Sequence, residues 1–210
     1  SPLKVFADSQ ASAAGSISEI ILKNNGFNVG DVLPFNLLGF DSRKINTSRD
    51  PNLNRGCDLQ AVGYRVIDKP DVGGETSTKI LQFAFKLFEP MTTWNVCEVS
   101  VLIDADGDKN PEQELAEVVL ENLKGISTPA NAHQFASVLL DVKKTRELRA
   151  DFEEKSKTEG NKAKEDYSKA VIDQRQLTYF NNSTVTILEV DISQLSLKAE
   201  GDLSVKVATV

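Results

Sequence analysis

Lys79-Ile-Leu-Gln-Phe-Ala-Phe-Lys-Leu-Phe-Glu89 and, shortly after it, Trp94-Asn-Val-Cys-Glu-Val-Ser-Val-Leu-Ile-Asp104 decide the fold. In the first run Leu81, Phe83, Phe85 and Leu87 recur at every second position, and in the second Val99, Val101 and Ile103 do the same. A period of two lines these side chains along one face of an extended chain, whereas a helix would scatter them around its axis. Both runs are read as β-strands with one apolar face.

Working outward, Asp58 to Asp68 reads as an edge or half-buried strand through Leu59, Ala61, Gly63 and Tyr64 to Ile67. Residues 41–56 (DSRKINTSRDPNLNRG) and 69–77 (KPDVGGETS) are almost free of apolar side chains and carry turn chemistry, so they read as surface loops. The first forty residues suggest short strands separated by Asn24-Asn25-Gly26 and Gly30-Asp31. Leu115 to Leu123 fits a strand or a helix. Phe135 to Leu140 suggests a short strand and Lys144 to Lys157 a helix, followed through 153–166 by a solvated helix end or a loop. Thr184 to Val190, Ile192 to Leu197 and Leu203 to Val210 are rich in Thr, Val and Ile, the residues a pleated surface accommodates best. The sum predicts a mainly-β chain. It is an antiparallel, jelly-roll-like β-sandwich in a single domain, 1–210, with a helical segment around 143–170 inside an excursion spanning 130–178.

Composition narrows the function. Among 210 residues, 31 Asp+Glu outweigh 24 Lys+Arg and leave a net charge of −7, which opposes binding along a phosphate backbone. Nucleic acid is not an expected partner. The single histidine, His133, lies in a polar connector and is read as a surface or turn residue; it offers too little for a zinc site or a Ser-His-Asp triad, and no G-x-S-x-G elbow accompanies it. The chain is therefore expected not to be an enzyme. No stretch approaches the roughly 18 to 20 apolar residues that span a bilayer. The opening Ser1-Pro2-Leu3, without an initiator Met, suggests a processed protein or an excised piece.

The sharpest local feature follows the second strong strand: Asp104-Ala-Asp-Gly-Asp-Lys-Asn-Pro-Glu-Gln-Glu114. Alternating carboxylates bring several oxygens to one point when the backbone curls, and hard cations such as calcium require six to eight oxygen ligands. Asp104, Asp106, Asp108, Asn110 and Glu112 form the candidate calcium set. The first three match positions 1, 3 and 5 of an EF-hand, but Lys109 stands at its glycine position and Leu115 at its bidentate glutamate, so the loop is not an EF-hand. The competing reading is a polar turn closed by Asx-type bonds to backbone amides, without metal. Glu112 and Glu114 as a glycosidase-like acid and base lack any aromatic wall.

Val99-Ser-Val-Leu-Ile-Asp-Ala-Asp-Gly-Asp-Lys-Asn-Pro-Glu-Gln-Glu114 resembles the hydrophobic strand and Asp-Thr-Asp-Gly-Asp-Gly-x-Pro-Asp loop of accessory β-sandwich domains that follow the catalytic domain in bacterial subtilisin-like serine peptidases. Phe180-Asn-Asn-Ser-Thr-Val-Thr-Ile-Leu-Glu-Val-Asp-Ile-Ser-Gln-Leu195 is similar to their closing strands. The likeness covers about a third of the chain. Lys109 replaces the usual glycine, Glu112 replaces the usual aspartate, and the catalytic Asp, His and Ser motifs are absent. The resemblance implies a non-catalytic accessory domain of a secreted or cell-surface peptidase, partnered by the catalytic domain of its own polypeptide and by a protein or carbohydrate ligand. The alternative is a stand-alone, calcium-dependent module binding carbohydrate or a cell surface.

Cys57 and Cys97 are the only cysteines. A disulfide between them is the expected reading; it would close a loop of about 40 residues and stabilise the fold by roughly 4 kcal/mol, and the alternative is two separate buried thiols. Without a Cys-x-x-Cys spacing, thiol redox chemistry is not expected. Trp94, heading a strand, is read as a core residue rather than a sugar-stacking platform. The basic run Lys143, Lys144, Arg146 and Arg149 is expected to pair with the acidic residues that follow it.

Overall fold

The computed structural model describes residues 5–7, 22–24, 33–43, 57–70, 77–91, 97–120, 135–160, 166–179, 183–197 and 204–209. The chain divides into two compact units, Ser1–Pro34 and Phe35–Val210. In the first, β1 (Val5–Ala7) pairs antiparallel with β2 (Leu22–Asn24). Trp94 and His133 lie outside the described residues.

The second unit is mainly β. Its strands are β3 (Asn36–Phe40), β4 (Leu59–Pro70), β5 (Ser77–Met91), β6 (Val99–Asp104), β7 (Gln113–Val119), β8 (Phe135–Asp141), β9 (Val171–Gln176), β10 (Thr178–Tyr179), β11 (Ser183–Asp191) and β12 (Ser204–Thr209). One five-stranded antiparallel sheet has the order β10-β11-β5-β4-β3, and the other β12-β6-β7-β8-β9. Each is mostly a meander, into which the chain later returns a strand: β11 beside β5, and β12 beside β6.

The period of two is realised directly. Leu81, Phe83, Phe85 and Leu87 of β5 meet Val99, Val101 and Ile103 of β6, Leu115 of β7, Leu139 of β8 and Leu188 and Val190 of β11 in one buried core between the sheets. Each such side chain removed from water contributes about 1.5 to 3 kcal/mol. The opposite face of β5 mixes apolar Ile80 and Phe88 with a paired polar group: the Gln82 side-chain amide donates to Glu189 (2.8 Å) and accepts from Arg65 (2.7 Å), while Lys69 grips both Glu189 oxygens at 2.7 and 2.8 Å.

The ambiguous Leu115 segment is a strand, because Gln113, Leu115 and Glu117 all turn inward on the period of two. The continuous apolar run of β8 is buried on both faces. Leu139 enters the main core, whereas Ala136, Val138 and Leu140 join a second cluster with Leu120 and Ala170, capped by Leu148, Tyr167 and Val171. Leu148 belongs to the one α-helix of the described residues, α1 (Val142–Glu159), which covers the helix expected over Lys144–Lys157 and stops short of residue 170. Asp141 caps its start by accepting from the Lys144 N–H, and Gly160, at φ +58°, ends it. Arg149 pairs with Glu153 one turn on, as the charge pattern suggests.

Two expectations change. Ile192–Leu197 is not a strand: the Asp191 carboxylate accepts from the Ser193 N–H (2.8 Å) and hydroxyl (2.7 Å), capping a 3-10 turn over Ile192–Gln194. The segment 130–178 also contains more sheet than helix-based reasoning allows, since β9 lies inside it at the sheet edge, where Arg175 bridges Asp173 and Asp191.

Candidate metal centre

β6 leaves the core at Asp104 and β7 re-enters it at Gln113, so the acidic loop closes one end of this sheet. Its closure is built from carboxylates. Asp104, itself buried, accepts from the backbone N–H of Gly107 (2.7 Å) and of Lys109 (2.8 Å). Asp106 accepts from the Asp108 N–H, Asp108 from the Asn110 N–H, and Glu112 reaches back to the Ala105 N–H at 2.8 Å. Gly107 adopts φ +78° and Lys109 φ +73°, so two residues of the turn occupy the left-handed region. For lysine this is costly, by about 1 to 2 kcal/mol. The glycine expected at that position from the peptidase-domain pattern would adopt it without strain.

The outcome is convergence. Asp104, Asp106, Asp108 and Glu112 each present one oxygen within 4.8 Å of the others. No nitrogen or sulfur donor belongs to the group, and each carboxylate oxygen has a second lone pair beyond the one given to an N–H. Such a set suits a hard divalent cation. The Asx-type turn and the oxygen cluster are therefore the same object: the amide bonds shape the ring of carboxylates. Asn110 stands beside Asp108, its side-chain NH2 donating to the Asp108 Oδ2 at 3.3 Å. Glu114 lies on β7 outside the group.

No family model, curated protein or solved structure matches the chain. Its site must be read from its own residues.

The loop is anchored on both sides. The Glu112 N–H donates to the Ile103 carbonyl (3.1 Å), and the Glu112 carbonyl accepts from the Val142 N–H (2.9 Å) at the start of α1. The next residue, Gln113, is buried; its amide donates to the Gln194 carbonyl (3.0 Å) and accepts from the Ser196 N–H (2.9 Å).

The two cysteines expected to pair are free thiols, and both pack into or against the main core. Cys97 precedes β6, at the end of the β6–β7 hairpin away from the acidic loop. At that end is a residue the sequence reading passed over. Glu117 follows Leu115 on the inward face of β7, is 5% exposed, and neither of its oxygens has a hydrogen-bond partner among the described residues. Burial, aided by the nearby charges of Glu98 and Cys57, pushes its carboxyl up to about 8. The signal was available: once β7 is a strand, Glu117 shares the face of Leu115.

Proposed function

We propose that this chain is a non-catalytic accessory β-sandwich module of a secreted bacterial subtilisin-like serine peptidase, stabilised by calcium in the β6–β7 loop. The observation that carries the calcium assignment is the convergence of Asp104, Asp106, Asp108 and Glu112 oxygens within 4.8 Å, a concentration of like charge that a divalent cation would neutralise. These residues would hold the ion, with carbonyls or water completing the six to eight oxygens calcium takes. The peptidase assignment rests on the likeness of the strand and loop over 99–114 to the accessory domains of those enzymes. In this role the module stabilises the enzyme or presents a protein substrate to it.

The edge strand β3 favours a protein partner over a sugar. Leu37 is 65% and Phe40 80% exposed, and the adjoining pocket of about 360 Å³ is lined by Leu38, Tyr64, Val66, Phe83 and Leu197. Among the described residues β3 is the outermost strand of its sheet, and exposed apolar side chains there are interface chemistry. The stand-alone, calcium-dependent module binding carbohydrate or a cell surface is the second reading, and it rests on the same acidic loop.

Calorimetric titration with calcium tests the site. Binding with a rise in melting temperature is expected, and at 100 times Kd the gain is about 2.7 kcal/mol. Asp106→Ala should abolish both; absence of heat and of any thermal shift in the unaltered chain would remove the metal assignment. The reading frame upstream of Ser1 separates the two functional readings. A domain carrying a subtilase triad supports the accessory role, and a signal peptide directly preceding Ser1 overturns it.

A further inference from the structure

Among the described residues the two large sheets end on four strands, and three of these edges are guarded against pairing with another chain. β10 is only two residues long, β12 presents an exposed Lys206, and β9 carries Asp173 and Arg175, both of which engage Asp191 of β11. β3 has no charge of this kind. Phe35 to Phe40 contains no ionisable side chain, all five residues of the strand are exposed, and Leu37 and Phe40 are the most open of its apolar side chains. Its one irregularity, a register shift between Leu37 and Gly39, leaves Leu38 lining the apolar pocket.

The two flanks of the sandwich also differ. On the β9–β11 flank the sheets are tied together by Arg175 to Asp191 (3.1 Å) and by the Ser137 hydroxyl, which donates to the Glu189 carbonyl and accepts from the Glu189 N–H, both at 2.9 Å. On the β3 flank, Tyr64 and Val66 pair in register with Phe83 and Leu81 and so share their core-facing side, yet they remain 37% and 50% exposed. With Leu38 of β3 and Val205 of β12 they line the pocket of about 360 Å³. Apolar surface left uncovered on the inner face of this sheet thus leads out to its unguarded edge.

We propose that β3 pairs antiparallel with β3 of a second copy of this chain, joining two five-stranded sheets into one of ten strands about a two-fold axis. The inference rests on the reading of β3 as an edge that meets protein, and it names that protein as the chain itself. Charge favours this occupant at this place. Two copies of net charge −7 repel one another, and Phe35–Phe40 is an edge where they meet with no like charges opposed. A two-fold axis perpendicular to the sheet keeps the pocket-facing sides of both copies on one side of the joined sheet, so the Leu38 of each copy extends the apolar strip of the other. Symmetry also sets the size. Pairing like with like uses the unguarded edge of each chain, and the guarded edges β9, β10 and β12 give nothing to extend, so assembly stops at two. With only five residues in the strand, the join is small and the pair exchanges with single chains.

Sedimentation velocity of the full chain over a concentration series, with hydrogen exchange read by mass spectrometry at the same concentrations, tests the pairing. A reversible shift from 23.0 kDa to twice that mass is expected, together with new amide protection over Asn36–Phe40. Leu37→Lys and Phe40→Lys set like charges at the join from exposed positions, and each should raise the dissociation constant at least about tenfold while the dilute, single chain melts as before. A chain that stays at 23.0 kDa throughout, one that doubles in mass without protecting β3, or one that grows past two overturns the proposal. Adding a synthetic peptide of residues 33–43 separates that failure from failure of the reading beneath it. If the peptide protects β3 in a chain that stays single, self-pairing is overturned and the edge still meets protein; if a single chain gains no protection, both fall.

Discussion

The two ends of the β6–β7 hairpin handle negative charge in opposite ways. At the loop end, the Asp104, Asp106, Asp108 and Glu112 carboxylates crowd together, and each accepts at least one backbone N–H. At the far end a single carboxyl, Glu117, is buried with no donor among the described residues. The lesson is that proximity of like charges is tolerable when oriented N–H dipoles and solvent answer it, whereas isolation from both is not. One end therefore gathers charge that a cation would neutralise, and the other holds on to a proton.

The largest effect should come from the isolated carboxyl. Between its ordinary value of 4.5 and the folded value of about 8, the folded chain retains a proton that the unfolded chain has released. Stability is then highest below the lower value and falls as pH rises through the upper one, by on the order of 4 to 5 kcal/mol in all. Urea midpoints at pH 5 and pH 8.5 should show that fall, and Glu117→Gln should lose most of it. Equal pH dependence in both chains would erase the distinction between the two ends.

A smaller loss tests the caged end. Asp104→Ala removes the acceptor for two backbone N–H groups, at about 1.5 to 3 kcal/mol for hydrogen bonds to a charged group. Chemical denaturation without calcium should lose about 3 kcal/mol; a negligible change would mean that solvent satisfies those amides equally well. The smallest effect belongs to Lys109→Gly. It relieves the left-handed backbone at about 1 to 2 kcal/mol but returns up to about 1 kcal/mol through the freer unfolded chain. A net gain of under about 1 kcal/mol in thermal stability, with tighter calcium binding, is expected; weaker binding would show that the lysine serves the site.

Much of this arrangement was legible in the residues. β5 and β6 announce themselves because one face is wholly apolar and buried at every second residue, Leu81 to Leu87 and Val99 to Ile103. The acidic loop was legible because its ligating atoms are local in sequence. What escaped was non-local. β9 is an edge strand in which Asp173 and Arg175 serve an ion-pair network, so its alternation carries charge instead of apolar side chains. The turn after β11 depends on the Asp191 side chain competing successfully with the next ladder bond. Glu117 looks like an ordinary surface acid until the strand assignment of β7 turns it inward. That Cys57 and Cys97 both pack at the main core depends on β4 and β6 belonging to different sheets, which no local spacing encodes.

The buried amide of Gln113 has a consequence for how the loop can vary in length. A strand slipped by one position would present Glu112 or Glu114 to the Gln194 carbonyl and Ser196 N–H, and neither carboxylate can donate to that carbonyl as the amide does. Gln113 thus acts as an index mark from which the turn back to Asp104 is measured. Homologous chains that preserve this amide should tolerate exchanges of residue within the loop far more readily than insertions or deletions.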